Sequence, residues 1–320
     1  MNALTVASTS LTVYNARAYQ YAAQSKSDNT IRAYKASWRE FESFAVQHGE
    51  SSLPASPSLI IDYLTALADH GAKVSTIQVK LAAIASAHRT AKQPDPTNDE
   101  DVRMVMGGIR RALRIAPSKK APVTLEELRP MLNALPDTLA GKRDRAILLV
   151  GFAGAFRRSE LIGVDVADIR LGDKLTITIK RSKTDQEGKG LVKVIPSLKD
   201  KTICPVEALR QWLNASEIKS GAIFRQIDQW GHMRDERLTP QSVALIVKSC
   251  AIRAGLEPRQ FAGHSLRSGF ITEAAGAGVD SRDIMAQTGH RSEAVMRGYI
   301  QDAGRGASRA VKAAMGEGSK

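Results

Sequence analysis

Arg157, Lys183, His264, Arg267, His290 and Tyr299 follow one another in short polar stretches of this 320-residue chain. The stretches are Gly154-Ala-Phe-Arg-Arg-Ser-Glu-Leu161, Arg181-Ser-Lys-Thr184, His264-Ser-Leu-Arg267 and Gly289-His290, with Tyr299 nine residues beyond His290. A tyrosine hydroxyl that attacks a phosphodiester needs positive charge on the phosphate, an acceptor for the phenolic proton and a donor for the leaving oxygen. Arginine, histidine and lysine can supply all three without a metal. Two guanidinium groups can hold both non-bridging oxygens and stabilise the crowded charge of a pentavalent transition state. His264 and Arg267, at i and i+3, are neighbours on one helix face. His290 and Tyr299 are not, because nine residues of continuous helix turn about 900° and leave them on opposite sides. They share a site only if the chain breaks between them, and Gly289 with the N-cap-like Ser292 provides that break. Glu160, three residues after Arg157, either orients an arginine or histidine or stays a surface carboxylate. Lysines of a hairpin are ordinarily solvated, which is the expectation for Lys180, Lys189 and Lys193 around Lys183.

Positioning these groups requires elements that the apolar periodicity outlines. Ile31, Tyr34, Trp38, Phe41 and Phe44 fall at helical spacing after Ser27-Asp28, and Gly49 ends that helix. A second helix starts at Ser56-Pro57 and carries Leu59, Ile60, Tyr63, Leu64 and Leu67 to Gly71. A third begins after Ser75 with Ile77, Val79, Leu81, Ile84 and Ala87, and a fourth runs from about Asp99 to Ile115. Short capped turns join the four into a helical domain over 26–115, after a leader at 1–25. Ala116-Pro-Ser-Lys-Lys-Ala-Pro122 reads as a linker over 116–123. Thr124-Leu-Glu-Glu127 has the form of a capping box and opens the second domain, 124–301. There a helix over about Gly141 to Phe156 delivers the first arginine motif at its end. Lys174 to Lys180 alternates as a strand, Gln186 to Gly190 turns, and Leu191 to Ile195 returns. Helices start again near Pro205, Pro240, His264, Asp280 and Ser292. The expected architecture is mainly α, with one small antiparallel sheet and a tail over 302–320.

Charge narrows the partners. The net charge is +13 and the pI about 9.8, an excess spread over both domains that suits a polyanion such as nucleic acid. Arg110, Arg111 and Arg114, with Lys119 and Lys120 of the linker, form a basic edge suited to a phosphate backbone. Cys204 and Cys250 have no metal-ligand spacing and read as thiols of a reducing compartment. The longest apolar run, Ala146 to Phe156, is about half a membrane span. With no signal-like N-terminus either, the expectation is a cytoplasmic protein with no membrane partner, no metal and no cofactor.

Taken in order, these motifs resemble those of the tyrosine recombinases, or phage integrases. The likeness covers about 125–300 through motifs and, more loosely, 25–115. Arg157 precedes Ser159-Glu160-Leu161 as the family's first arginine does, although Gly-Ala-Phe replaces the more usual Gly-Leu before it. The resemblance assigns Arg157 and Arg267 to the phosphate, Lys183 to protonation of the 5′ oxygen, and His264 and His290 to supporting proton and phosphate contacts. Tyr299 becomes the nucleophile. It implies a SAM-like core-binding domain closing with a catalytic domain around duplex DNA at a specific recombination site. It also implies four protomers on two such sites, with the C-terminal segment docking on a neighbour; 302–320 is the candidate for that segment, because Ala310, Val311, Ala314 and Met315 can form a short apolar face. The expected activity is strand cutting and rejoining for integration, excision or resolution. Two rivals remain at this point: a type IB topoisomerase-like relaxase, separable by a four-way-junction assay, and a DNA-binding regulator of the same fold that forms no covalent adduct.

Overall fold

The computed structural model describes residues 26–113, 120–180 and 190–290. The chain divides into two compact units between Ser118 and Lys119.

In the first unit, the polar residues that start each helix act as caps. Helix α1 (Asp28–Gln47) begins at Ser27, whose hydroxyl accepts from the Thr30 N–H at 3.3 Å. Helix α2 (Pro57–Asp69) begins at Ser56, which accepts from Leu59 at 3.1 Å, with Pro57 in the first turn where its missing N–H costs nothing. Helices α3 (Val74–Thr90) and α4 (Glu100–Ala112) complete the unit. Trp38, Phe41, Leu59, Tyr63, Leu64, Ile77, Ile84, Val102 and Met106 form its core. Val79, two residues after buried Ile77, is exposed. Two residues of helix are about 200° apart, so Ile77 and Val79 cannot both face inward. His88 is fully buried; its Nδ1 meets the Ile84 carbonyl at 2.9 Å and its Nε2 accepts from the Ala55 N–H at 3.0 Å. Those partners require the neutral ring with its proton on Nδ1. Arg110 and Arg111 are exposed in the last turn of α4, and Arg114 lies outside the described residues.

The second unit is built around α6 (Leu139–Ala153), whose residues 146–151 are all buried, and α8 (Pro205–Ser216), packed against it. Before α6, α5 (Leu125–Asn133) starts where the Glu127 carboxylate accepts from the Thr124 N–H at 2.7 Å. After it come a short α7 (Arg158–Ile162) and strands β1 (Ile169–Leu171), β2 (Lys174–Ile179) and β3 (Leu191–Pro196). The three strands make an antiparallel sheet in the order β1-β2-β3, with Ile177 opposite Lys193. Strands β4 (Arg225–Ile227) and β5 (Met233–Arg237) form a second antiparallel ribbon, so the expectation of a single sheet is corrected. Their sequences hide it: β5 is Met-Arg-Asp-Glu-Arg, with no apolar alternation to betray a strand. Helices α9 (Pro240–Arg253), α10 (Ser265–Gly276) and α11 (Ser281–Thr288) follow.

Helix α10 lies tight against the segment that enters α5. The Val123 N–H donates to the Ser265 carbonyl at 2.9 Å, and a Cβ on Gly269 would stand 1.7 Å from the Val123 oxygen. No helix among the described residues is long and apolar enough to cross a membrane.

Candidate active site

Arg157 does not end a helix as the apolar run to Phe156 suggested. Helix α6 stops at Ala153, Gly154 caps it, and Ala155 turns the chain with a φ of 46°. Arg157 is then the extended N-cap residue of α7. Glu160, buried at the third position of α7, closes back on it. Its Oε2 accepts from the Arg157 N–H at 2.9 Å and its Oε1 from Nη1 at 2.5 Å. One carboxylate thus fixes both the backbone and the guanidinium of Arg157.

Arg267 stands at the third position of α10, one turn after His264, which is that helix's N-cap. Its side chain is fully buried. Nη1 donates to the Ala155 carbonyl at 2.7 Å, and Nη2 meets His290 Nε2 at 3.0 Å. The turn that carries Arg157 is therefore held by the residue that reaches His290. His290 follows Gly289, whose left-handed φ of 70° ends α11. The His290 Nδ1 lies 2.8 Å from the Thr288 hydroxyl, which bonds back to the Ile284 carbonyl at 2.8 Å. If Arg267 donates to Nε2, Nδ1 holds the proton and gives it to Thr288, whose own proton goes to Ile284. These contacts are satisfied with a neutral imidazole.

The electrostatics agree with that assignment. Burial, then the guanidinium groups of Arg267 and Arg157, hold His290 down to about 4. His264 is exposed. Desolvation against the protein, followed by Arg267, Arg157 and Arg158, also pulls it below the ordinary histidine range, with Glu160 opposing. Two imidazoles held below the ordinary histidine range beside two guanidinium groups have the chemistry to accept a proton and to attract an anion. Among the described residues no three His, Cys, Asp or Glu side chains are grouped to hold a metal ion.

The structure thus brings Arg157, Glu160, His264, Arg267 and His290 together. Lys183 and Tyr299 lie outside the described residues, as do Lys119 and the segment 302–320. Lys120 is exposed and donates to the Arg259 carbonyl at 2.7 Å. Lys193, expected to be solvated, is instead fully buried beneath the site. The signal was present in the strand alternation: Lys193 shares the inward face of β3 with Ile195, while Val192 and Val194 are exposed.

Residues 122–305 match the phage integrase family, and residues 18–94 match the phage integrase N-terminal SAM-like domain. An integrase/recombinase xerD homolog from Selenomonas ruminantium is 40% identical over 283 residues, spanning 87% of this chain and 83% of the relative. The recombinase cre of Escherichia phage P1 is 22% identical over 301 residues, 87% of this chain and 85% of that protein. Among solved structures, the Tn1549 transposon integrase with circular intermediate DNA shares the fold. Its TM-score is 0.63 at 14% identity, covering 97% of this chain and 99% of that one. XerH bound to difH substrate gives a TM-score of 0.59 at 19% identity, covering 85% and 76%. With more than half of its length matched by the family and a 40% identical relative along most of the rest, the chain belongs to the phage integrase family of tyrosine recombinases.

Proposed function

We propose that this protein is a site-specific recombinase that cuts and rejoins duplex DNA through a 3′-phosphotyrosyl link, for integration, excision or resolution of a DNA element in the cytoplasm. The observation that carries the reading is the contact of buried Arg267 with both His290 and the Ala155 turn before Arg157. It gathers groups from three distant stretches of chain into one basic cluster.

In this reading Arg157 and Arg267 bind the non-bridging oxygens of the scissile phosphate, and His290 adds a hydrogen bond. The Tyr299 oxygen forms the bond to phosphorus as the 5′ oxygen leaves. The phenolic proton passes to neutral His264, and Lys183 protonates the departing 5′ oxygen. A 5′-hydroxyl from a partner strand then reverses the step, so the energy of the broken bond is kept in the tyrosyl ester. Both units hold the duplex mainly through phosphate contacts, with Arg110, Arg111, Arg114, Lys119 and Lys120 among the candidates. Four copies on two sites complete the exchange, with 302–320 reaching a neighbour. The DNA complexes of the Tn1549 integrase and XerH support the choice of partner.

The test starts by incubating the protein with sheared DNA from its own source and sequencing strands that stay attached after denaturation. On the duplex so identified, Tyr299→Phe is expected to bind as the parent does and to yield no covalent adduct. An adduct persisting in Tyr299→Phe on a denaturing gel moves the nucleophile elsewhere.

A further inference from the structure

Lys193 is a buried cation for which the reaction just described has no use. It occupies an inward position of β3, opposite Ile177 and next along that face to buried Ile195. A Leu or Met would fill that place without the cost of taking an ammonium out of water. What a lysine adds is donors. Its Nζ donates to the Gly154 carbonyl at 2.6 Å and also to the Gln287 carbonyl. The Phe156 ring lies below it, 5.0 Å from Nζ to the centroid.

Both carbonyls are the unpaired kind left at a helix C-terminus, where the backbone dipoles present partial negative charge. Gly154 caps α6, and Gln287 is in the last turn of α11. The two ends are joined a second time, because the Gln287 side-chain amide donates to the Ala153 carbonyl at 2.9 Å. From Gly154 the next residue is Ala155, which receives Arg267. From Gln287 the next is Thr288, which receives His290. Lys193 is thus one residue removed from each partner of the Arg267–His290 pair.

We propose that Lys193 is a positioning residue for DNA cleavage: it ties the Gly154–Arg157 turn to the end of α11, and so holds His290 against Arg267. The role rests on the phosphotyrosyl reading above. Burial pushes the Lys193 ammonium down to about 7; Glu160 opposes, while Arg267 and Arg157 push the same way. The neutral amine keeps two N–H groups for its two carbonyls, so the tie survives loss of the charge.

The experiment measures single-turnover adduct formation on the duplex identified above, with duplex affinity measured in parallel. Lys193→Met keeps the length and loses the donors. The expected result is unchanged affinity with an adduct rate lowered by about 10²-fold, the scale of a small misplacement of reacting groups. Gln287→Met, which cuts the second tie, is expected to lower the rate in the same direction, and it carries the test if Lys193→Met shows no cooperative thermal transition. In a His290→Ala background Lys193→Met is expected to cost far less, because its target is gone. A general loss of structure would cost the same in both backgrounds. Parent-like rates in both Met variants, or an equal loss with and without His290, overturn the proposal. No adduct from the parent itself overturns the cleavage reading and this role with it, and that result is seen before any variant is made.

Discussion

His290 illustrates how a site residue is tuned by what stands around it. Its neutral form is the one the structure satisfies: Nε2 accepts from Arg267 and Nδ1 donates to Thr288. The folded pKa of about 4 lies below the ordinary histidine value of 6.5, so protons favour the unfolded chain in between. The contribution to stability is therefore complete above about pH 6.5 and is lost as pH falls through about 4. Urea midpoints of the parent are expected to drop relative to those of His290→Gln across that window and to run parallel to them above it. His264 is shifted the same way but remains in both proteins, so the difference isolates His290. A constant difference from pH 4 to 7 would refute the neutral assignment. At this scale the sequence was legible where spacing set groups side by side, as with His264 and Arg267 at the start of α10 or the Gly289 turn before His290. It was not legible at Lys193, because the sign of its charge argued for solvent while its parity along the strand argued for the core. Parity won, since two carbonyls were waiting inside.

Elements were easiest to read where one residue type does a fixed job. Ser27, Ser56, Asp99 and Thr124 all start helices as their side chains allow, and Gly289 ends one with a positive φ. The end of α6 was misplaced because the turn falls on Ala155, not on a glycine, and left-handed backbone is disfavoured for any residue with a Cβ. The Arg267 donation to the Ala155 carbonyl is a tertiary bond that sequence periodicity has no way to announce. The β4–β5 ribbon escaped for a similar reason, as pairing rather than pattern defines it. The contact of α10 with the segment before α5 gives a direct test of such close approach. Gly269→Ala must push the Val123 carbonyl away, and a cost of about 1–3 kcal/mol is expected in chemical denaturation. Gly107→Ala, which would meet nothing within 4 Å, is the control and should be neutral or slightly stabilising. Equal effects at the two positions would mean that α10 does not depend on this contact.

The whole chain consists of two units, each with its own core, and has a net charge of +13. Separate cores imply that cutting between them leaves both folded. Limited trypsin digestion is expected to cleave first at Lys119 or Lys120, giving two fragments that keep their helical circular dichroism. Duplex that is bound by both units should slow that cut. First cleavage inside 30–110 or 125–290, or a fragment that loses its helicity, would show that the division of the chain lies elsewhere. Composition alone pointed to a polyanionic partner, and the helical spacing of apolar residues pointed to a mainly helical fold. Neither quantity says which DNA sequence is chosen, because a specific sequence is read by a few side chains at base edges rather than by net charge.

Strand β3 finally shows that order can matter where content does not. Lys193 faces inward and Val194, its neighbour, stands 46% exposed. Exchanging them, Lys193→Val together with Val194→Lys, leaves length, composition, net charge and strand propensity as they were. The pleat nonetheless delivers the ammonium to water and a valine to the two helix ends. Two chains that no measure of bulk properties can tell apart would then differ at one of the ties that pin α6 and α11 together.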